Sequence, residues 1–541
     1  MSGMELIYSF TVALFLTIAL IPVMIRISPR LGLIDIPDAR KVHSGAIPRS
    51  GGIAMAVGIL APLVILLPLQ GFVPHLLAAT LLIVVFGALD DRNNLSYRWK
   101  FLGQILAVLL VMKGGVIAGR LPFMGLDAAP AWLSYGVTFF FILGVTNAVN
   151  LTDGLDGLAA GTALLALALI LVLCLQCDSG VAATVAATTL GGVLGFLRYN
   201  TFPARIFMGD TGSQMLGFLC AVLALIVTQD PQSPVSPLLP VLILGLPILD
   251  TLMVMGIRLA QRRSPFSPDK NHLHHQLIGA GLYHYEAVAL IYMIQISLGV
   301  IAYLGRFESD TLLLAIYLGF CAALVLPLWL IRRSGFRFRA IPHAGEERRN
   351  SLLRRMDWYY YSAPQLIEIM LAAVFCFVGV MLLTRGEAMP SGWVWVPVLV
   401  VIISGALFSW LPAWSARVAC YLAGSLLVYA ASIIDMPGWA GHLLNGWLVA
   451  LVLCLMLAIR MTRREQFRLD TQDLLVLAML LIVPQLPFPL LDQYDIGKIA
   501  LRLAVIMYCC EFLIARRGTR RLVALNLASV FGALALAFNQ F

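Results

Sequence analysis

The sequence predicts an all-α integral membrane protein that crosses the bilayer many times. Of its 541 residues, 60% are hydrophobic and only 12% are charged, whereas about a quarter of the residues in a soluble globular protein are charged. Apolar runs recur along the whole chain, and about 20 consecutive apolar residues suffice for one helix to cross a bilayer. These observations exclude a soluble domain built around a single core.

Eighteen apolar runs are long enough to be membrane spans, eleven before residue 333 and seven after residue 363. The first eleven lie near residues 5–25, 52–69, 74–90, 101–118, 133–151, 157–176, 181–198, 211–229, 237–257, 287–305 and 311–331. The other seven lie near residues 364–384, 391–411, 415–434, 443–461, 473–491, 496–515 and 521–539. We therefore predict a polytopic protein of about eighteen transmembrane helices.

Composition divides the chain into three predicted parts. Residues 1–331 form a membrane core whose long polar loops are rich in Asp, Asn and His, and residues 364–541 form a transmembrane extension with short loops. Between them, residues 332–363 form a basic linker with an aromatic end. We favour a linker that only fixes the topology, and the alternative is an interfacial segment that binds anionic lipid headgroups.

The basic residues predict the orientation of the chain. When successive loops are assigned to alternate sides of the membrane, one side receives 31 of the 37 Lys and Arg residues. The positive-inside rule makes that side cytoplasmic and places both termini outside. Topology therefore explains the net charge of +9, and we expect no nucleic-acid partner.

Four polar motifs fall on the predicted cytoplasmic side, and they carry most of the chemistry in the sequence. They are "GALDDRNNLSYRWK", "NAVNLTDGLDGL", "RYNTFPARIFMGDTGSQMLG" and "SPFSPDKNHLHHQLIGAGL". Asn150, Asp153 and Asp156 in the second motif are spaced to share one face of a helix. Taken singly, each motif has an ordinary alternative, such as a capping aspartate, a solvated loop or a surface run of histidines.

The predicted topology brings five carboxylates to one membrane boundary, namely Asp90, Asp91, Asp153, Asp156 and Asp210. They would repel one another unless a cation lies among them, and ligands that are all oxygen favour Mg²⁺ or Mn²⁺. The nearby histidines lack the cysteine or H-E-x-x-H pattern of a zinc site, so phosphate binding or proton transfer is the better interpretation. Together, these residues predict phosphoryl transfer between a water-soluble donor and a lipid acceptor.

Two other classes of protein remain open from the residues alone. Carboxylates inside a membrane are typical of ion or proton pathways, and Asp250 and Glu368 lie within predicted spans, where they could line a cavity. The other acidic residues lie at span ends on one side, which argues against a transporter. A non-catalytic lipid scaffold would not need the carboxylates and histidines at all.

Five motifs, in order, resemble the polyprenyl-phosphate N-acetylhexosamine-1-phosphate transferases. They are "KVHSGAIPRSGGIAM", "DDRNNLSYRWK", "NAVNLTDGLDGL", "NTFPARIFMGDTGS" and "NHLHHQL", and the resemblance covers residues 1–310. It implies transfer of an N-acetylhexosamine 1-phosphate from a UDP-sugar to undecaprenyl phosphate, with release of UMP. "HLHH" and "GAIPRSGG" resemble the branch that uses UDP-GlcNAc. The alternatives are a phospho-MurNAc-pentapeptide translocase, or a transporter or lipid-handling protein that reuses the fold.

The resemblance also implies roles for individual residues. The implied catalytic residues are Asp90, Asp91, Asp153, Asp156, His274 and His275. The implied substrate-binding residues are Lys41, His43, Lys100, Asn150, Asn200, Phe207 and His272. The implied ligands of Mg²⁺, with Mn²⁺ as an alternative, are Asp210 and Asp91.

The resemblance further implies a place in the cell. We expect a multi-pass protein of the bacterial cytoplasmic membrane, surrounded by bacterial lipids, with its active site on the cytoplasmic side. Its product would start a lipid-linked glycan such as an O-antigen, an exopolysaccharide or a cell-wall polymer. A homo-oligomer remains open, and residues 333–541 are not matched by the family.

Overall fold

The computed structural model describes most of the first two thirds of the chain. The described residues are 3–35, 46–124, 129–177, 179–229, 234–264, 271–334, 357–385, 437–461 and scattered positions from 428 to 534. The chain divides into two compact units, Met1–His343 with Asp470–Gln472 and Ala344–Leu469 with Asp473–Phe541. The break after His343 falls inside the predicted linker, and the predicted three-part organisation stays a prediction.

The described part of the first unit contains thirteen helices and one pair of short strands. The helices are α1 (Gly3–Leu31), α2 (Gly51–Leu66), α3 (Val73–Asn93), α4 (Tyr97–Lys113), α5 (Ala131–Thr152), α6 (Leu158–Gln176), α7 (Gly180–Asn200), α8 (Gly209–Gln229), α9 (Leu239–Ile243), α10 (Gly245–Ala260), α11 (Leu273–Gly279), α12 (His284–Leu304) and α13 (Asp310–Ser334). The strands β1 (Ile34–Asp35) and β2 (Ile47–Pro48) pair antiparallel. In the second unit, α14 (Asp357–Arg385) and α15 (Gly438–Met461) pack against each other.

Ten helices among the described residues are long and apolar enough to cross a membrane. This confirms the prediction of an all-α, polytopic membrane protein, to which the structure adds the short strand pair. Two predicted spans are shorter helices, since α2 has 16 residues and α4 has 17. The predicted spans that lie wholly or partly outside the described residues are 391–411, 415–434, 473–491, 496–515 and 521–539. The number of eighteen spans therefore stays a prediction.

The ninth predicted span is not one helix, because it breaks between α9 and α10. Pro247 has no N–H and cannot donate the hydrogen bond that a continuous helix would place on the Ile243 carbonyl. Instead, the Gln295 side chain of α12 donates to that carbonyl at 3.0 Å. The Tyr317 hydroxyl of α13 donates to the Gly245 carbonyl at 2.9 Å. Neighbouring side chains thus satisfy the backbone at the break, as the interior of a membrane protein requires.

We expect Gln295→Leu to lower the free energy of unfolding by about 1–3 kcal/mol, because a buried carbonyl loses its donor. A fall in Tm of the protein in detergent micelles measures this effect. Ser297→Ala is the matched control, since the exposed Ser297 hydroxyl donates to Met293 within the same helix. Equal Tm values for the two variants would contradict the role of Gln295 at the break.

The polar end of the first unit is made of helix ends that meet on one side of the bundle. Helices α3, α5 and α7 end there, whereas α4, α8 and α12 begin there. The central helix, α8, packs against α2, α3, α5 and α6, and it is buried along nearly its whole length. Residues that are far apart in the sequence are therefore gathered around the first turn of α8.

Candidate active site

Asp91, at the end of α3, holds the start of α8. Its Oδ1 accepts a hydrogen bond from the Asp210 backbone N–H at 2.8 Å. Its Oδ2 accepts one from the Thr211 N–H at 3.0 Å and another from the Thr211 hydroxyl at 2.6 Å. The preceding Gly209 has a φ of +65°, and the Asp91 carboxylate fills the space where a side chain would be. Because negative charge is also favourable at a helix N-terminus, Asp91 acts as the cap of α8.

Lys100 lies between two carboxylates, those of Asp90 and Asp210. It forms an ion pair with Asp90, and its Nζ is 3.4 Å from Oδ2 of Asp210. Asp90 also accepts a hydrogen bond from the Leu95 N–H at 2.7 Å, which fixes the turn after α3. Asp90 is only 2% exposed, and a buried charge needs such a partner. The Asp210 side chain is 26% exposed, so it is the more accessible of the two carboxylates.

A chain of three side-chain amides runs from α5 through α4 to Asp210. The Nδ2 group of Asn147 donates to Gln104 at 2.7 Å, and Nε2 of Gln104 donates to Gln214 at 3.0 Å. Nε2 of Gln214 then donates to Oδ1 of Asp210 at 3.4 Å. Each amide donates one hydrogen bond in the direction of Asp210, and Nε2 of Gln104 also donates back to Oδ1 of Asn147 at 3.4 Å. The bonds directed toward Asp210 stabilise its negative charge.

Asn150 approaches the same carboxylate from the last turn of α5. The buried Ser213 hydroxyl donates to Oδ1 of Asn150 at 2.6 Å, which leaves the Asn150 amide nitrogen as the donor to Asp210. Asp210 thus receives hydrogen bonds and positive charge from Asn150, Gln214 and Lys100, and it also lies against the Asp90 carboxylate.

The predicted helical face shared by Asn150, Asp153 and Asp156 is wrong, because α5 ends one residue before Asp153. Asp153 follows the helix with a φ of −75° and a ψ of 71° and is open to solvent. Asp156 is used differently, since its Oδ2 accepts a hydrogen bond from the Ala204 N–H at 2.9 Å. Its own N–H donates to Nε2 of His284 at 3.1 Å. Asp153 therefore faces the open side of the site, and Asp156 anchors two loops.

Asn200 braces the same loops from the end of α7. Its Oδ1 accepts a hydrogen bond from the Gly157 N–H at 3.0 Å, and its Nδ2 donates to the Ile206 carbonyl at 2.9 Å. Both ends of this buried amide are therefore engaged within the protein. Phe207, which directly follows Ile206, is partly exposed. The substrate contacts implied for Asn200 and Phe207 stay predictions.

His272 and His274 are buried and lie side by side at the start of α11. Their rings are stacked, with centroids 5.8 Å apart and planes 11° apart. The His275 ring centroid is 4.3 Å from that of His274. The His274 ring packs directly against Gly154, where no larger residue would fit. The histidine motif therefore reaches the turn that carries Asp153.

The environment shifts the pKa of Asp153 upward. This carboxylate is open to solvent on one side and crowded by protein on the others. The crowding, together with the negative charges of Asp210, Asp91 and Asp156, raises the pKa of Asp153 to about 7. The neighbouring negative charges favour the protonated form of Asp153. The Mg²⁺ or Mn²⁺ ion among these carboxylates stays a prediction.

The environment of His274 shifts its pKa in the opposite direction. Burial lowers the pKa of His274 to about 3, with further lowering from the neighbouring His275, His272 and His284. His274 is therefore neutral at pH 7 and offers one N–H donor and one lone pair. It can carry a proton or a hydrogen bond, but it supplies no positive charge to a phosphate.

The site offers oxygen ligands of the kind that Mg²⁺ prefers. No group of three or more His, Cys, Asp or Glu side chains in the described part of the chain is placed to hold a metal ion by itself. Mg²⁺ commonly binds one or two carboxylates and completes its coordination with water and substrate phosphates. Asp210 and Asp153 have the access for this, whereas the Asp91 oxygens already accept three hydrogen bonds. The metal-binding role of Asp91 stays a prediction.

The sequence patterns did not indicate several residues that the structure places at the site. They are Arg49, Gln104, Asn147, Gln214 and His284. The sequence indicated Asp250 only as a residue that could line a cavity, and in the structure it contacts His272. One signal was available in the sequence. Gln104 lies four residues after Lys100, and Gln214 lies four residues after Asp210, a spacing that puts two side chains on the same helix face. Arg49 forms an ion pair with Asp35, and its charge acts on Asp153. Lys41 and His43 lie outside the described residues.

Comparison with known proteins identifies relatives of this chain. Residues 73–228 match the model of glycosyl transferase family 4. A probable undecaprenyl-phosphate N-acetylglucosaminyl 1-phosphate transferase from Bacillus subtilis (strain 168) is 35% identical over 293 residues, which are 54% of this chain and 82% of the relative. A decaprenyl-phosphate N-acetylglucosaminephosphotransferase from Mycobacterium tuberculosis is 35% identical over 302 residues, 49% of this chain and 74% of the relative.

A third relative matches this chain over a larger share of its own length than the other two. The undecaprenyl-phosphate alpha-N-acetylglucosaminyl 1-phosphate transferase of Yersinia pestis is 32% identical over 364 residues, 62% of this chain and 94% of the relative. These three relatives leave more than a third of the chain unmatched, which agrees with the unmatched extension in the sequence. The named relatives are polyprenyl-phosphate sugar-1-phosphate transferases, the group that the sequence motifs resemble. This protein therefore belongs to glycosyl transferase family 4.

Proposed function

We propose that this protein transfers GlcNAc-1-phosphate from UDP-GlcNAc to undecaprenyl phosphate and releases UMP. The observation that carries the proposal is the gathering of Asp90, Asp153, Asp210 and Lys100 where apolar helices end. A lipid phosphate held at the membrane boundary and a soluble nucleotide sugar can both reach such a place. The names of the relatives support both the acceptor and the sugar.

The reaction needs positioning and neutralisation of charge more than covalent chemistry by the protein. An oxygen of the lipid phosphate attacks the β-phosphorus of the donor and forms a new P–O bond. The bond from that phosphorus to the bridging oxygen breaks, and UMP leaves with the oxygen and its electron pair. Mg²⁺, with Mn²⁺ as the alternative, would be held by Asp210 and Asp153 and would neutralise charge on the transferred phosphate.

The protein residues divide this work between them. Lys100 supplies positive charge beside Asp90 and Asp210, and the amide chain through Gln214 fixes the direction in which the Asp210 carboxylate points. Neutral His274, against the turn that carries Asp153, gives or accepts hydrogen bonds to the donor without repelling a cation. We place the site at the cytoplasmic face of a bacterial inner membrane, because the basic residues lie mostly on that side.

Release of UMP tests the proposal directly. The purified full-length protein is incubated with undecaprenyl phosphate, Mg²⁺ and a panel of UDP-N-acetylhexosamines that includes UDP-MurNAc-pentapeptide, with and without EDTA. We expect UMP from UDP-GlcNAc only, and no UMP with EDTA. UMP from UDP-MurNAc-pentapeptide would instead indicate the translocase activity. Uptake of a labelled solute into proteoliposomes without UMP would indicate a transporter.

We expect Gln214→Leu to lower kcat for UMP release about tenfold, which corresponds to the loss of about 1.4 kcal/mol from one hydrogen bond to a charged group. The Asp210 carboxylate then loses the amide that fixes its direction. Gln295→Leu is the matched control, because both glutamines are 2% exposed and the change is identical. If both variants lose stability but keep the kcat of the wild-type protein, the amide chain has only a structural role.

A further inference from the structure

Asp250 is a buried carboxylate that the proposed reaction does not use. It lies on α10, 5% exposed, within a predicted membrane span. Both of its oxygens are engaged, since Oδ1 accepts a hydrogen bond from the Leu273 backbone N–H at 2.7 Å. The Oδ2 atom lies 2.8 Å from Nδ1 of His272. We propose that Asp250 is a positioning residue that fixes the ring orientation and the tautomer of His272 for the transfer reaction.

The Leu273 contact fixes where α11 begins. His272 is the N-cap residue of α11, and its own side chain makes no capping hydrogen bond. Asp250 supplies the missing acceptor from a different helix, so the start of α11 is tied to α10. A negative charge is also favourable at this helix end. The contact thus places the backbone of the whole histidine motif.

The His272 contact fixes which ring nitrogen is free. A carboxylate can only accept hydrogen bonds, so Nδ1 of His272 must be the donor. In the neutral ring, Nε2 is then the nitrogen with the lone pair, and it is the atom left for a ligand. His272 is 6% exposed, so the ring has little freedom to turn away from Asp250.

The Asp250–His272 pair contacts the rest of the site through the stacked rings of His272 and His274. The His272 ring is stacked on that of His274, which packs against Gly154 beside Asp153. A rotation of His272 would therefore displace His274 from the turn that carries an open carboxylate. The inference rests on the proposed function, which assigns His274 to donor binding, and on the substrate-binding role that the family resemblance implies for His272.

Asp250→Asn makes a sharp test, because asparagine has nearly the same shape. Its oxygen can still accept from the Leu273 N–H, but its amide nitrogen donates where Oδ2 accepted. Nδ1 of His272 must then become the acceptor, which moves the proton to Nε2 and reverses the tautomer. We expect kcat/KM for UDP-GlcNAc to fall about 10–100-fold, as for other residues that orient a functional histidine.

A double-mutant cycle separates this role from a purely structural one. Asp250→Asn, His272→Asn and the double variant are compared in UMP release and in Tm. If Asp250 acts through His272, the double variant loses no more activity than His272→Asn alone. The matched control is Asp310→Asn, since Asp310 also accepts one backbone N–H and one side-chain donor, from Phe123 and Ser236, at the opposite end of the bundle. Independent, multiplicative losses of activity in the cycle would overturn the proposal.

A second measurement does not depend on activity. In protein labelled with ¹⁵N-histidine, the His272 signals are identified by their loss in His272→Asn. At pH 8 we expect a protonated Nδ1 and an unprotonated Nε2, and we expect Asp250→Asn to exchange the two. An unchanged tautomer in Asp250→Asn would overturn the inference. If the wild-type protein released no UMP from any donor, the proposed function would fail, and the tautomer would still decide whether Asp250 orients His272.

Discussion

We expect Asp210→Asn to lower kcat for UMP release by about 10³-fold or more while the protein folds as before. Asp210 is the accessible carboxylate on which Lys100, Gln214 and Asn150 converge. Asparagine keeps the shape of the side chain and removes its negative charge. Helix α8 is capped by Asp91 and not by Asp210 itself, so its first turn stays in place.

Two measurements check this expectation on the purified full-length variant. UMP release gives kcat, and the Tm in detergent reports the fold. The Mg²⁺ concentration for half-maximal activity, measured on residual turnover, is expected to rise. Gln295→Leu serves as the control for a variant that loses stability without losing charge at the site. Normal turnover of Asp210→Asn at physiological Mg²⁺ would rule out Asp210 as the centre of the site.

The sequence was sufficient to predict which carboxylates gather, because their positions follow from helix ends and from the side of the membrane on which each loop lies. Asp90, Asp153 and Asp210 lie at the ends of apolar runs, and the alternation of basic loops puts those ends together. The structure brings these residues within electrostatic reach of one another. The break between α9 and α10 was not predicted, because residues 237–257 read as one span. Prolines also lie inside the continuous helices α1, α2 and α13, so Pro247 alone does not mark a break in the sequence.

The sequence could not assign different roles to neighbouring residues. Asp90 and Asp91 are adjacent, but consecutive side chains on a helix point about 100° apart. One therefore meets Lys100, and the other meets the start of α8. Asp250 presents the same difficulty, because its partner His272 is 22 residues away and nothing local in the sequence pairs them. Contacts of this kind depend on how the helices pack, which periodicity does not encode.

The different roles of Asp90 and Asp91 make the Asp91→Asn variant informative. Asparagine can still accept a hydrogen bond from the Asp210 N–H, but its amide nitrogen cannot accept the two bonds from Thr211. The first turn of α8 also loses a favourable negative charge. We expect the free energy of unfolding to fall by about 2–4 kcal/mol. We expect kcat to fall about 100-fold, because Asp210 is carried on the loosened turn.

The comparison with Thr211→Val distinguishes a cap from a metal ligand. Thr211→Val removes only the hydroxyl bond to Asp91, so a cap role predicts a smaller loss of both stability and kcat in the same direction. The Mg²⁺ concentration for half-maximal activity would then stay close to the wild-type value in both variants. A metal-ligand role predicts the opposite pattern for Asp91→Asn, with unchanged Tm and a large increase in the Mg²⁺ requirement. Because Asp91 accepts all three of these hydrogen bonds from the first turn of α8, the geometry favours the cap. The change in Tm relative to the change in Mg²⁺ requirement decides between the two roles.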